Sequence, residues 1–139
     1  MELHRGRLID HIQLVVRDLG ASRRFYEAVM KPLGIPLGGE MDGFFFYDEL
    51  GITSADSEAA DGKLTGRTHI AFQARDRATV DAFHEAGLKA GGRDNGPPGE
   101  RPYHPGYYAA FLLDPDGNNI EAVFHGKAER SAASVKISF

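Results

Sequence analysis

Two short stretches of this 139-residue chain repeat each other, and each carries a histidine at the same place. Asp10-His11-Ile12-Gln13-Leu14-Val15 lies over Thr68-His69-Ile70-Ala71-Phe72-Gln73. The register persists downstream, where Asp18 falls on Asp76, Phe25 on Phe83 and Gly34 on Gly92. The match therefore runs through a strand, a helix start, a helix face and a helix end. Self-similarity on this scale reports a duplicated supersecondary unit. A histidine repeated in equivalent strands is a reason to look for a metal.

The local patterns fill in both units. Residues 8–16 are predicted as a strand with Ile9, His11, Gln13 and Val15 on one face. Asp18 caps a helix to about Met30, in which Phe25, Val29 and Leu33 form the inward stripe and Pro32 and Gly34 close the end. Residues 43–55 read as two short strands meeting near Asp48-Glu49, followed by a polar linker, 56–66. The second unit replays this order with a strand at 67–74 and a helix from Arg77 to Ala90 presenting Val80, Phe83 and Gly87. Gly91-Gly92 stops that helix, and Gly38-Gly39 reads as a helix exit in the first unit. The stretch 93–106 is too rich in Pro and Gly for regular structure and is expected to be a loop bordering a site. Tyr107–Leu113 and Asn118–His125 read as strands joined by the turn Asp114-Pro115-Asp116-Gly117-Asn118. The tail, 126–139, either is mobile or adds an edge strand. The expected organisation is one domain: module one at about 7–55, module two at about 67–125, and the tail.

Composition narrows the chemistry. With no cysteine, disulfides, thiolate metal sites and a cysteine nucleophile are excluded, so any metal must take N and O ligands. A formal charge of −4 without a basic stripe argues against nucleic acid. No apolar run approaches a membrane span or a secretory signal core. The expected location is the cytoplasm. No Gly-rich phosphate loop, nucleophile elbow or His-Glu-x-x-His helix occurs.

The segments Asp10-His11-Ile12, Asp18-Leu19 with Arg24-Phe25-Tyr26, Thr68-His69-Ile70-Ala71-Phe72, and Phe111-Leu112-Leu113-Asp114-Pro115-Asp116-Gly117-Asn118-Asn119-Ile120-Glu121 together resemble the vicinal oxygen chelate superfamily. That superfamily contains glyoxalase I, fosfomycin-modifying transferases, extradiol dioxygenases and bleomycin-binding proteins. The resemblance covers about residues 7–125. It implies an α+β fold of two βαβββ modules forming an open, cleft-lining mixed barrel. It also implies a metal site made of His11, His69 and Glu121, holding one divalent ion (Fe, Mn, Ni or Zn). The residues fit that set on physical grounds: the two His open equivalent strands, and Glu121 interrupts an apolar strand, where a carboxylate facing inward needs a partner or a cation. A lone His on a strand is ordinarily a hydrogen-bonded structural residue, so the argument rests on the pair and the carboxylate together. Glyoxalase I uses a second carboxylate from the first module. Here Leu50, Gly51 and Ile52 stand opposite Ile120, Glu121 and Ala122, and the ligand set is expected to be His-His-Glu. Asp48 and Glu49 are read as turn residues.

For proton transfer the expected residues are His104, flanked by Pro102 and Pro105, and Tyr108; for substrate contacts, Gln13, Gln73, Arg101 and Tyr103. Single-domain members of this superfamily commonly form homodimers with composite sites, so His11 and the other two ligands are expected to come from different chains. The implied partner is a small oxygen-bearing molecule, with glyoxalase-like, dioxygenase or thiol-transferase chemistry left open. The competing reading is a metal-free protein that sequesters a small molecule in a cleft walled by Phe44, Phe45, Phe46, Tyr103, Tyr107 and Tyr108.

Overall fold

The computed structural model describes residues 2–6, 8–60 and 62–138. The first strand, β1 (Glu2–Arg5), pairs antiparallel with the last, β10 (Val135–Ser138), as a separate two-stranded ribbon, so the tail does add a strand. Between them lie the two modules. Module one is β2 (Ile12–Val16), α1 (Leu19–Leu33), β3 (Gly39–Met41), β4 (Phe44–Tyr47) and β5 (Leu50–Ser54). A one-turn 3-10 helix, Glu58–Ala60, lies in the connection. Module two is β6 (His69–Gln73), α2 (Arg77–Lys89), β7 (Arg93–Glu100), β8 (Tyr108–Leu113) and β9 (Asn119–Phe124).

Each module makes a four-stranded mixed sheet of the same order, β2-β5-β4-β3 and β6-β9-β8-β7. The first and last strands of a module run parallel, because a helix carries the chain back over the sheet between them. The duplicated aspartates are the helix caps. Asp18 accepts the Ala21 N–H at 2.9 Å and Asp76 that of Thr79 at 2.7 Å. Strand alternation fixes the inward face: Leu14, Val16, Phe45, Tyr47, Leu50 and Ile52 in one sheet, Ala110, Leu112, Ile120 and Ala122 in the other, all buried. Against them pack Phe25, Tyr26, Val29 and Met30 of α1 and Val80 and Phe83 of α2. The helices also pack on each other. At that contact a Cβ on Gly87 would stand 2.9 Å from Val29 Cγ1 and 2.2 Å from Leu112 Cδ1, so α2 sits this close to β8 and α1 only because residue 87 has no side chain. The two sheets are not joined by strand pairing and do not close into a barrel.

Four expectations are corrected in detail. The Pro/Gly-rich stretch contains a strand, β7, because it lies on the sheet's outer edge and is paired on one side alone. Its register shifts between Asp94 and Gly96 and again between Gly96 and Gly99, and these bulges accommodate Pro97 and Pro98, which lack an N–H to donate. Helix α1 continues beyond Met30 to Leu33, with Pro32 in its last turn, where the Gly34 and Ile35 N–H groups bond back to Lys31 and Met30 carbonyls. Strands β2 and β6 start at Ile12 and His69, later than expected. Gly38 and Gly39 are not a helix exit; they flank the start of β3, and a Cβ on either would stand 2.4 Å and 2.7 Å from the Phe46 ring.

Candidate metal centre

The site begins at the β8–β9 turn. Asp114 is buried and its carboxylate gathers four donors: the N–H groups of Asp116 and Asn118 and the side-chain amide of Asn118, each at 2.9 Å, and the Tyr26 hydroxyl of α1 at 2.6 Å. Asn118 Oδ1 in turn accepts from the Thr68 N–H at 3.1 Å and the Thr68 hydroxyl at 2.7 Å. The Asn119 N–H bonds the Thr68 carbonyl at 2.8 Å. This network sets the register of β6 on β9, with His69 opposite Asn119 and Ala71 opposite Glu121.

That register brings His69 and Glu121 together. His69 Nδ1 lies 3.0 Å from the Asn119 carbonyl, which only accepts, so Nδ1 carries the ring proton. In the neutral imidazole Nε2 then has a free lone pair, and it lies 2.9 Å from Glu121 Oε2. The Glu121 side chain is 3% exposed. Its other oxygen, Oε1, accepts the Tyr107 hydroxyl. Burial, with the bond to Glu121 second, pushes the Tyr107 phenol far above its ordinary value, so it stays a donor. Two lone pairs thus face each other across a buried carboxylate, and either a proton or a cation must lie between them.

Around this pair stand Phe111, stacked on the His69 ring at 6.1 Å, and Arg101, whose guanidinium lies 5.4 Å from the Phe111 ring centre. Arg101 also donates to the Pro97 carbonyl at 2.6 Å. Tyr103 meets Tyr107 edge-on at 4.9 Å and is itself 67% exposed. His104 is beside Tyr107, ring centres 5.3 Å apart, but its nitrogens are occupied by the Pro105 carbonyl at 3.0 Å and by His125 Nδ1 at 2.9 Å.

Not every expected residue is gathered here. Tyr108 is one position out of phase with the site: it turns to the helix side of the sheet, where its hydroxyl donates to Asp81 at 2.7 Å and Arg77 lies over its ring at 4.7 Å. Tyr107 and Phe111 occupy the open face instead, and the alternation of β8, with Ala110 and Leu112 inward, is the signal that points to them. Gln73 accepts from Arg130 of the tail. His11 belongs to the other sheet. It is exposed, with Nδ1 2.7 Å from Asp10 Oδ1, and lines a shallow cavity of about 180 Å³ with Ile12, Gln13, Phe44, Phe46, Asp48, Glu49 and Gly51. Among the described residues, no group of three or more His, Cys, Asp or Glu side chains is close enough to hold an ion within one chain. The histidine-carboxylate pair converges; His11 does not join it in the single chain.

The fold agrees with what the chain is similar to. The family model of the Glyoxalase/Bleomycin resistance protein/Dioxygenase superfamily matches residues 8–122, and the chain belongs to that superfamily. It is 34% identical to a glyoxalase/bleomycin resistance protein from Albidiferax ferrireducens T118, whose crystal structure superposes with a TM-score of 0.71 over 84% of this chain and 97% of that one. It is 32% identical, over 81% of its length and 95% of the relative's, to the uncharacterized protein YqjT of Bacillus subtilis (strain 168). A lactoylglutathione lyase from Agrobacterium tumefaciens shares the fold at 22% identity and a TM-score of 0.60, over 84% and 92% of the two chains. No helix among the described residues is long and apolar enough to cross a membrane.

Proposed function

We propose that the protein is a cytoplasmic metal-dependent enzyme acting on a small oxygen-bearing substrate, its divalent ion held by His69 and Glu121 of one copy and His11 of a second copy in a homodimer. The observation that carries this reading is the His69–Glu121 pair, two acceptor atoms 2.9 Å apart beside a carboxylate with 3% exposure. A divalent ion placed between the two acceptors satisfies both. His11 is prepared in the same way: with Nδ1 committed to Asp10, Nε2 is the lone-pair nitrogen. Its exposure and its place on the other sheet support a second copy as the source of the third ligand, and a two-fold pair would carry two equivalent sites.

When bound, the ion supplies Lewis acidity to neighbouring oxygens of the substrate, chemistry shared by isomerase, dioxygenase and transferase members. The chain's own residues supply the rest. Tyr107 holds one oxygen of Glu121 and keeps its proton, which fixes the direction of the other oxygen. Arg101 retains donors beyond those it gives to the Pro97 and Glu100 carbonyls and stands ready to receive negative charge on the substrate. Gln13 lines the same cavity as His11 and offers both a donor and an acceptor.

The test is elemental analysis of untagged protein with sedimentation of the same sample. About one ion per chain is expected, lost in His11→Ala, His69→Ala and Glu121→Ala. Mixing the His11→Ala and Glu121→Ala proteins is expected to restore uptake, since one interface then combines intact ligands from both. Protein that takes up no ion on titration, yet binds small molecules indifferently to chelator, would overturn this reading in favour of a sequestering protein.

A further inference from the structure

The open face of module one carries a feature that its counterpart lacks. Gly51 occupies the sheet position equivalent to Glu121: Gln13 pairs with Gly51 in β2–β5 as Ala71 pairs with Glu121 in β6–β9. Across the next strand, Phe46 faces Gly51 as Phe111 faces Glu121. Where module two projects a carboxylate, module one projects nothing, and the Phe44 ring leans over the gap. A Cβ on Gly51 would stand 2.9 Å from Phe44 Cε2 and 3.2 Å from Cζ. Phe44 and Phe46 stack at 5.9 Å, with their planes 26° apart, and Gly38 and Gly39 leave room for the Phe46 ring to lie down in the same way. Three glycines thus let two phenylalanines lie over the sheet, showing ring faces that strand residues bearing side chains would obstruct. The cavity over them, about 180 Å³, is close to the size that holds a single benzene ring, about 150 Å³.

We propose that this floor seats a planar, uncharged six-membered carbon ring of the substrate, its oxygens directed toward His11 and Gln13 at the cavity edge. The chemistry of the walls selects such a ring. Aromatic faces favour a flat partner at stacking distance over a puckered one, and the Glu49 carboxylate in the lining disfavours an anionic substituent there. The assignment rests on the composite site proposed above, in which this floor faces the His69–Glu121 pair of a second copy. The substrate would then be held by its oxygens on one side and by its ring on the other.

The test uses fluorine NMR of the intact protein, with 4-fluorophenol as the planar probe and 4-fluorocyclohexanol as the puckered one, in chelator-treated and metal-loaded samples. The phenol is expected to bind about fivefold more tightly than the cyclohexanol. Gly51→Ala, which drives Phe44 into the cavity, and Phe44→Leu, which keeps bulk but removes the flat face, are each expected to erase that preference. Glu121→Gln is expected to keep the preference while losing metal, so failure of ring seating and failure of the metal reading are separately visible. Equal affinity for the two probes, or a preference untouched by both Gly51→Ala and Phe44→Leu, would overturn the proposal.

Discussion

The two modules share strand order, register and helix caps, yet their open faces differ in kind. Module two concentrates polar chemistry: His69, Glu121 and Tyr107 in one hydrogen-bonded group, backed by Phe111 and Arg101. Module one at the same positions has Gly51, Phe44 and Phe46, with His11, Gln13 and Glu49 lining the cavity beside them. Duplication supplies two faces, and a few substitutions at matched sites specialise one for charge and the other for apolar contact. The inward positions diverge less, because both sheets must still cover a helix. The equivalent helix residues Val29 and Gly87 show the limit: they meet each other, and one of them must be small.

Five substitutions break or sharpen this contrast. Glu121→Gly makes module two resemble module one and is expected to abolish metal uptake, measured by elemental analysis, whereas Gly51→Ala should leave uptake intact. Tyr107→Phe keeps the ring but removes the donor to Glu121; metal affinity should fall about 10- to 100-fold in competitive titration, as for loss of an outer partner of a metal ligand. Gly87→Ala places a methyl where the modules touch and should destabilise the fold by about 2 kcal/mol in urea unfolding, with the His69–Glu121 pair unaffected in the protein that remains folded. Tyr26→Phe removes the link from α1 to Asp114 and should cost about 1–2 kcal/mol at neutral pH. Burial, and next the Asp114 charge, raise the Tyr26 phenol above its usual 10.0. A raised value in the folded state means stability that is fully present below pH 10 and is lost as pH climbs through the folded value. The gap between wild type and Tyr26→Phe should therefore narrow above pH 10, measured by unfolding at pH 8 and pH 11.

Much of this was legible in the sequence because it rests on short-range pattern. The repeat announced two modules, Asp18 and Asp76 announced the helix starts, and the alternation in 119–124 put Glu121 out of phase with its apolar neighbours. What the sequence hid depends on neighbours distant along the chain. Nothing local says that 93–100 lies at a sheet edge, the condition that lets Pro97 and Pro98 sit in a strand. Choosing Tyr108 over Tyr107 requires knowing which face of β8 meets the helices. The separation of His11 from His69 was likewise beyond a repeat, which establishes equivalence of position and says nothing of whether equivalent atoms meet in one chain or two.

The buried Asp114 has a consequence for how the protein folds. Its carboxylate joins the turn of module two to α1 of module one through Tyr26, and the neighbouring Asp116 accepts the Arg17 N–H at 3.0 Å, just past β2. The turn that aligns His69 with Glu121 therefore takes one of the four donors to Asp114 from the first module. Two modules bonded in this way are expected to unfold in one cooperative transition rather than as independent units. Hydrogen exchange checks that coupling at the Arg17 amide, whose bond to Asp116 crosses between the modules: it is expected to be protected together with the amides of the β8–β9 turn.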